Sequence, residues 1–322
     1  MDKELLKKIN LALDKAMSEF SDNEESIFHN EEKDRLKYKY NSINSLKKWK
    51  EKQTCIVENC NKKSIKRSHT IQKSGSIKIV SENNHVLTPR FNMDNGNIEM
   101  ISIGINEAST FPGYCIEHEN LFEEFETIKD IQTQEHLILQ LYRTICREIV
   151  VNKNEIKSSK ILMEQYKLFR DQQIEKSFIK NLDKDILKIP DLNMGKLKLE
   201  YIDKRLMKLD KEIKKKEAHL KGFLYNFHKD ILKSLKQKKL NKIVYYGFDV
   251  DREIPIAFAG YGNFNIKLKT KLKFVSIIIN ILPFKNKTYI FIATLKKFTK
   301  ELKAYKAQFA NHPIKVIDIL QN

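Results

Sequence analysis

Residues 55–75, CIVENCNKKSIKRSHTIQKSG, and residues 111–126, FPGYCIEHENLFEEFE, hold three of the chain's four cysteines in two pair-like motifs. Cys55 and Cys60 are separated by four residues, within the range for two thiolates on a knuckle turn gripping one ion. Cys115 and His118 form a C-x2-H pair after Pro112-Gly113, where a helix is expected to begin. Four soft or borderline ligands in two pairs make a closed tetrahedral zinc site, and a knuckle followed by a helix-start pair is the order of a treble clef. Cys55, Cys60, Cys115 and His118 are therefore the expected ligands of a structural Zn2+. Cys146 lies on an apolar helical face without a nearby partner and reads as an ordinary buried cysteine.

Outward from this segment, the chain divides into four expected regions. Residues 1–52 form a charged helical N-terminus, with Leu5, Ile9, Leu11 and Met17 marking one amphipathic helix. Leu36, Tyr40, Ile43, Leu46 and Trp49 mark a second helix. Residues 53–126 form the zinc module. Short β-like runs are expected there at Ser76–Val80, Asn84–Thr88 and Ile98–Ile103, with a turn at Asn95-Gly96-Asn97. Residues 127–240 are helical. Ile138, Leu141, Ile145 and Ile149 share one face, and helical character continues through 155–186. Leu206, Leu209, Ile213, Leu224, Phe227 and Ile231 form a heptad-like seam on 197–239. An antiparallel hairpin of 155–186 against 197–239 follows, turning at Pro190–Gly195. Such a seam serves packing within the chain, a homodimer or a partner protein equally well.

Residues 241–322 are β-rich, with strands expected at Ile243–Phe248, Ile254–Ala259, Phe274–Leu282 and Thr288–Leu295. The last two form a hairpin through Pro283–Lys287. A helix at Lys296–Phe309 and a short strand at Lys315–Leu320 complete the chain. Gly260-Tyr261-Gly262 lacks the further glycine and helix of a dinucleotide fingerprint and reads as a β-turn. Arg143, Arg147 and Glu148 read as a salt-bridge cluster rather than a phosphate clamp. The expected fold class is α+β.

The chain carries 60 basic and 42 acidic residues, a net charge of +18. Such a balance attracts polyanions, so nucleic acid is an expected partner. The 52 lysines against 8 arginines also fit a lysine-biased composition, and lysine is the weaker choice for bidentate recognition. No window is apolar enough to span a membrane. The charged N-terminus does not read as a signal peptide. Sparse cysteines argue against a disulfide scaffold, which points to a reduced, cytoplasmic setting.

The phrase Ser68-His69, nine residues after Cys60, resembles the ββα-metal (HNH) nuclease family. There a knuckle is followed by a strand ending in Asp-His or Ser-His, and a later ligand pair opens a helix. The resemblance covers about 65 of 322 residues. It implies that His69 is the general base, and that Glu119 or Asn120 on the helix faces a catalytic Mg2+ or Mn2+. Ser68 stands where many members carry an acidic metal ligand, and the insertion between His69 and Cys115 is longer than usual. The residues alone also fit a ligand or structural role for His69, and a non-catalytic module that binds nucleic acid or protein. The phrases SHTIQKSG (68–75), ASTFPGYC (108–115) and IIINILPFKNKTYIFIATL (277–295) are similar to bacterial proteins of mobile-element or phage-defence loci.

Overall fold

The computed structural model describes residues 3–28, 51–91, 98–182, 203–268 and 271–310. The expected helix over 31–52 lies outside them except for residues 51 and 52, which are not helical, and the turns at 95–97 and 190–195 and the strand at 315–320 lie outside them. Helix and sheet are mixed, as α+β requires. Two compact units are present, residues 1–45, 93–96 and 155–217 in the first and residues 46–92, 97–154 and 218–322 in the second.

The first unit is helical. It contains α1 (Lys3–Phe28), the later part of α4 (Gln134–Asn181) and α5 (Lys204–His219). Ala12, Ala16 and Phe20 recur every four residues and pack with Tyr166, Ile174, Phe178 and Leu182. Ile9, Leu13, Met17 and Leu206 line the same core. Leu11, expected inward, is 70% exposed because the buried row runs one helical step away from it. The α4 and α5 segments are antiparallel: Glu155 pairs with Lys216 (3.2 Å) and Arg170 with Asp203 (3.2 Å). Asp203 also starts α5, since its Oδ1 accepts the Leu206 amide at 2.9 Å.

The second unit holds the segment with the Cys/His motifs, residues 134–154 of α4, a π-helical turn (Leu220–Leu224), α6 (Tyr225–Gln237), a sheet and α7 (Thr299–Ala310). In the Cys/His segment, β1 (Ser68–His69) pairs with β4 (Thr110–Phe111), and β2 (His85–Phe91) with β3 (Ile98–Gly104). Short helices α2 (Ile116–Glu119) and α3 (Glu123–Ile128) follow. The run expected as strand Ser76–Val80 is instead a π-helical turn at Lys73–Ile77 leading into a helical turn. Gly75 is the reason the turn fits: a Cβ there would meet Gln72 Oε1 at 2.4 Å and the Phe284 ring at 3.3 Å.

The sheet is antiparallel with order β5-β8-β7-β6, formed by Ile243–Val250, Lys287–Leu295, Lys271–Phe284 and Phe258–Leu268. The β7–β8 hairpin turns at Lys285-Asn286, with Asn286 left-handed at φ 62°. Two expectations need correction. The strand placed at Ile254–Ala259 begins at Phe258, and Gly260-Tyr261-Gly262 is no turn but the interior of β6, paired to Ile277–Ile279. The glycines let flanking aromatic rings lie over the strand: a Cβ on Gly262 would meet the Phe264 ring at 2.7 Å. One face of the sheet packs on α7 through Val275, Ile277, Ile292 and Leu302. The other receives α4, where Asn280 meets Gln140 and Thr144 and Tyr261 meets Asn152. Covered on both sides, β7 is a near-continuous apolar run.

Residues 136–146 of α4 are buried on every side. Ile138, Leu141, Ile145 and Ile149 form the expected apolar stripe. Leu224, Phe227 and Ile231 are buried within the second unit and Ile213 within the first, so the seam is filled within the chain at these positions.

Candidate metal centre

The knuckle closes through a bridge between Thr54 and Lys63 and through the Cys55 amide, which donates to the Lys62 carbonyl at 2.9 Å. The Cys60 amide donates to the Val57 carbonyl (3.1 Å), and Asn59 supplies the left-handed residue, φ 64°, that turns Cys60 back toward Cys55. Two backbone bonds clamp the knuckle to the second motif: Ile56 N–H to the Gly113 carbonyl (2.9 Å) and Ile65 N–H to the Tyr114 carbonyl (2.6 Å). Cys115 is the N-cap residue of α2, and its carbonyl accepts the Glu119 amide at 2.9 Å. One helical turn then carries His118 over the Cys115 sulfur.

The side chains of Cys55, Cys60, Cys115 and His118 converge, with all ligand atoms within 4.8 Å of one another. Cys60 Sγ lies 3.9 Å from Cys115 Sγ, and His118 Nδ1 lies 3.4 Å from Cys55 Sγ and 3.2 Å from Cys115 Sγ. A tetrahedron with Zn–S arms of about 2.3 Å has S···S edges of roughly 3.8 Å and slightly shorter S···N edges. The group thus fits a four-coordinate metal ion such as zinc. Burial pushes the Cys55 thiol up to about 11, so a cation in the cage is what would hold it as thiolate. Cys115 is shifted down. Burial opposes this, but the His118 and Glu117 amides and the neighbouring thiols outweigh it.

His69 is not one of the four ligands. It sits opposite Thr110 across β1–β4, and its Nδ1–H donates to the Ala108 carbonyl at 3.1 Å, which leaves Nε2 as an acceptor. Its pKa is held down to about 4. Burial is the main cause, with the charges of Arg143, Lys73 and Arg67 adding to it against the Ala108 bond. The imidazole is therefore neutral near pH 7. Ser68 faces the other way, fully buried, and its hydroxyl accepts the Tyr114 amide at 3.2 Å.

Glu119 ends α2. Its Oε1 lies 3.4 Å from Arg143, and burial raises its pKa against the opposing pull of Arg143 and the Ser68 hydroxyl. Asn120, also singled out from the sequence, is exposed on the following 3-10 turn. The sequence underrated Arg143. Its side chain is 2% exposed, it pairs with both Glu119 and Glu126, and it lies 4.1 Å over the Phe122 ring. The expected cluster of Arg143, Arg147 and Glu148 is therefore split: Arg143 is buried with Glu119 and Glu126, and Arg147 pairs separately with Glu148 at 2.5 Å. The missed signal was α4 itself, whose polar positions Gln140, Arg143 and Thr144 are as buried as its apolar stripe.

No protein-family model, curated protein or solved structure matches this chain. Among the described residues, no helix is long and apolar enough to cross a membrane.

Proposed function

We propose that this protein is a metal-dependent nuclease of HNH type, built on a structural zinc module and acting in bacterial anti-phage defence. The observation that carries the reading is the state of His69. It ends the short strand that follows the knuckle, its Nδ1 is committed to the Ala108 carbonyl, and its Nε2 is left as the acceptor of a neutral ring whose basicity the burial and the nearby Arg143, Lys73 and Arg67 charges reduce. A neutral imidazole of fixed tautomer is what proton abstraction from an attacking water requires, and Lys73, hydrogen-bonded to the Asn106 amide oxygen rather than to a carboxylate, offers positive charge to a phosphodiester. As the phosphate approaches, its charge makes the imidazolium easier to form, which strengthens His69 as a base when substrate is bound.

Glu119 offers a buried carboxylate to a divalent ion, with Asn120 beside it in sequence. Mg2+ or Mn2+ bound there would supply stabilisation of the charge that develops on the phosphoryl oxygens. Arg143 holds Glu119 by Oε1 and fixes the carboxylate in place.

His69→Ala is expected to keep zinc content and folding while losing ~10²–10⁴-fold in cleavage of DNA or RNA with Mg2+ or Mn2+. The same variant should remove any reduction in phage plaques conferred by the wild type. Loss of zinc in His69→Ala would sink the proposal, as would absence of cleavage by the wild type under every divalent metal tried. A second reading, a non-catalytic zinc module that binds nucleic acid or a protein, is favoured by Ser68. It replaces the acidic ligand of many HNH sites and serves the core through Tyr114.

A further inference from the structure

We propose that the outer face of α6 and the loop after it form a phosphate-backbone contact surface for nucleic acid, separate from the His69 site. The proposal rests on the reading of nucleic acid as substrate. On α6, Phe227, Ile231 and Ser234 face the core. Lys229, Lys233 and Lys236 are offset from them by two residues, about 200° around the helix, and are exposed. Lys221 in the preceding π-helical turn and Lys239 and Lys242 in the following loop are exposed as well. None of these six lysines is ion-paired among the described residues, and the sole acid on α6 is Asp230. The neighbouring Lys238, by contrast, is taken by Glu135 at 3.1 Å.

The surface continues across the sheet edge. The Lys296 amide donates to the Lys242 carbonyl at 2.8 Å, which brings the exposed Lys296 and Lys297 against the loop. It also lies near the site along α4. Glu135, which holds Lys238, is five residues, or about 7.5 Å of helix rise, from Gln140, whose amide donates to the Thr70 carbonyl next to His69.

Charge and shape select the partner. A cationic helix that binds membranes offers an apolar flank to the bilayer. Here the apolar flank is spent on the core, and Tyr225 is the one large hydrophobic side chain of α6 that is exposed. Lysines on flexible stems with a polar flank match a polyanion read through its phosphates, without base specificity.

The test is binding of a short fluorescent DNA duplex to full-length His69→Ala protein without added divalent metal, so that affinity is read apart from cleavage. Lys229→Glu/Lys233→Glu/Lys236→Glu is expected to lose at least ~10-fold in affinity and to lower the slope of log K against log salt by about 3. Zinc content and melting should be unchanged. Lys208→Glu/Lys211→Glu/Lys215→Glu, the same charge change on exposed positions of α5 that alternate with acids, should lose less than about threefold. Equal losses in the two triple variants would reduce the effect to net charge and overturn the proposal. So would unchanged binding in the α6 variant, or binding to anionic phosphatidylserine vesicles but not to DNA. Should the α6 variant misfold, Lys229→Gln/Lys233→Gln/Lys236→Gln replaces it and must give a smaller loss in the same direction. Cleavage failing while this binding pattern holds would reject the nuclease reading alone.

Discussion

Four side chains define the cage, and three local devices bring them there: a left-handed Asn59 in the knuckle of Cys55 and Cys60, a helix start for Cys115, and one helical turn for His118. Cys55→Ser or Cys115→Ser should therefore abolish stoichiometric zinc, and the module with it, since a closed site contributes ~10–16 kcal/mol. Elemental analysis and thermal melting read both effects. Cys146 is the contrast. Its thiol, pushed up to about 12 by burial against the pull of Tyr114 and Tyr142, stays protonated and packs as a small apolar group. Cys146→Ser should keep zinc and cost about 1–2 kcal/mol. A second residue-scale prediction concerns His228, stacked on Tyr142 at 5.5 Å. Burial, with Lys153 adding, lowers its pKa to about 4 from 6.5. The unfolded chain therefore takes up the proton first as pH falls. Stability is full above pH 6.5 and declines as pH drops toward 4, by roughly 3 kcal/mol for this residue. Replacing it, His228→Phe, keeps the stacking and removes the titration. Denaturation midpoints measured across pH 4–7 should fall less steeply in the variant, and parallel curves would show that His228 does not carry this dependence.

At the scale of elements, the joint between α4 and α5 depends on one carboxylate used twice. Asp203 caps α5 and neutralises Arg170, and both side chains are almost wholly buried. Asp203→Ala removes the cap and strands a buried guanidinium, which keeps only Asp171, so a loss of about 3–5 kcal/mol is expected in urea unfolding. Asp203→Leu with Arg170→Met should recover much of it. No recovery in the double variant would assign the loss to the cap. The seam on α5 and α6 was legible in part: its residues recur at helical spacing, and Ile213, Leu224, Phe227 and Ile231 are buried while Leu206 and Leu209 are half-buried. The run at Ser76–Val80 was not legible. Its apolar content fits a strand as well as a helical turn, and what settles it is Gly75 pressed against Phe284, more than two hundred residues away in the chain.

For the molecule as a whole, Gln140 is the meeting point of three layers in the second unit. Its amide reaches the Thr70 carbonyl (3.1 Å), Thr144 (3.3 Å) and Asn280 on β7 (3.0 Å). Asn280→Leu should remove the buried acceptor that Gln140 and Thr144 share, leaving Gln140 its bond to Thr70 and Thr144 its bond to the Gln140 carbonyl, and cost about 1–3 kcal/mol. Melting monitored by zinc release and by near-UV signal should shift together if the layers unfold as one, whereas zinc release unchanged from wild type would show that the module folds independently of the sheet. The sequence by itself determined the metal cage, the α4 stripe, the α5–α6 seam and the β7–β8 hairpin, because each is written in spacings of a few residues that chemistry or periodicity constrains. Only the tertiary structure decided that Arg143 and Gln140 are interior, that Gly260 and Gly262 lie within a strand and that Ser68 serves the core. A periodic pattern reports the one face an element must bury. Whether its other faces are covered depends on segments far away in the chain, and it was the Cys/His segment, α6 and the sheet closing around α4 that buried its polar side chains.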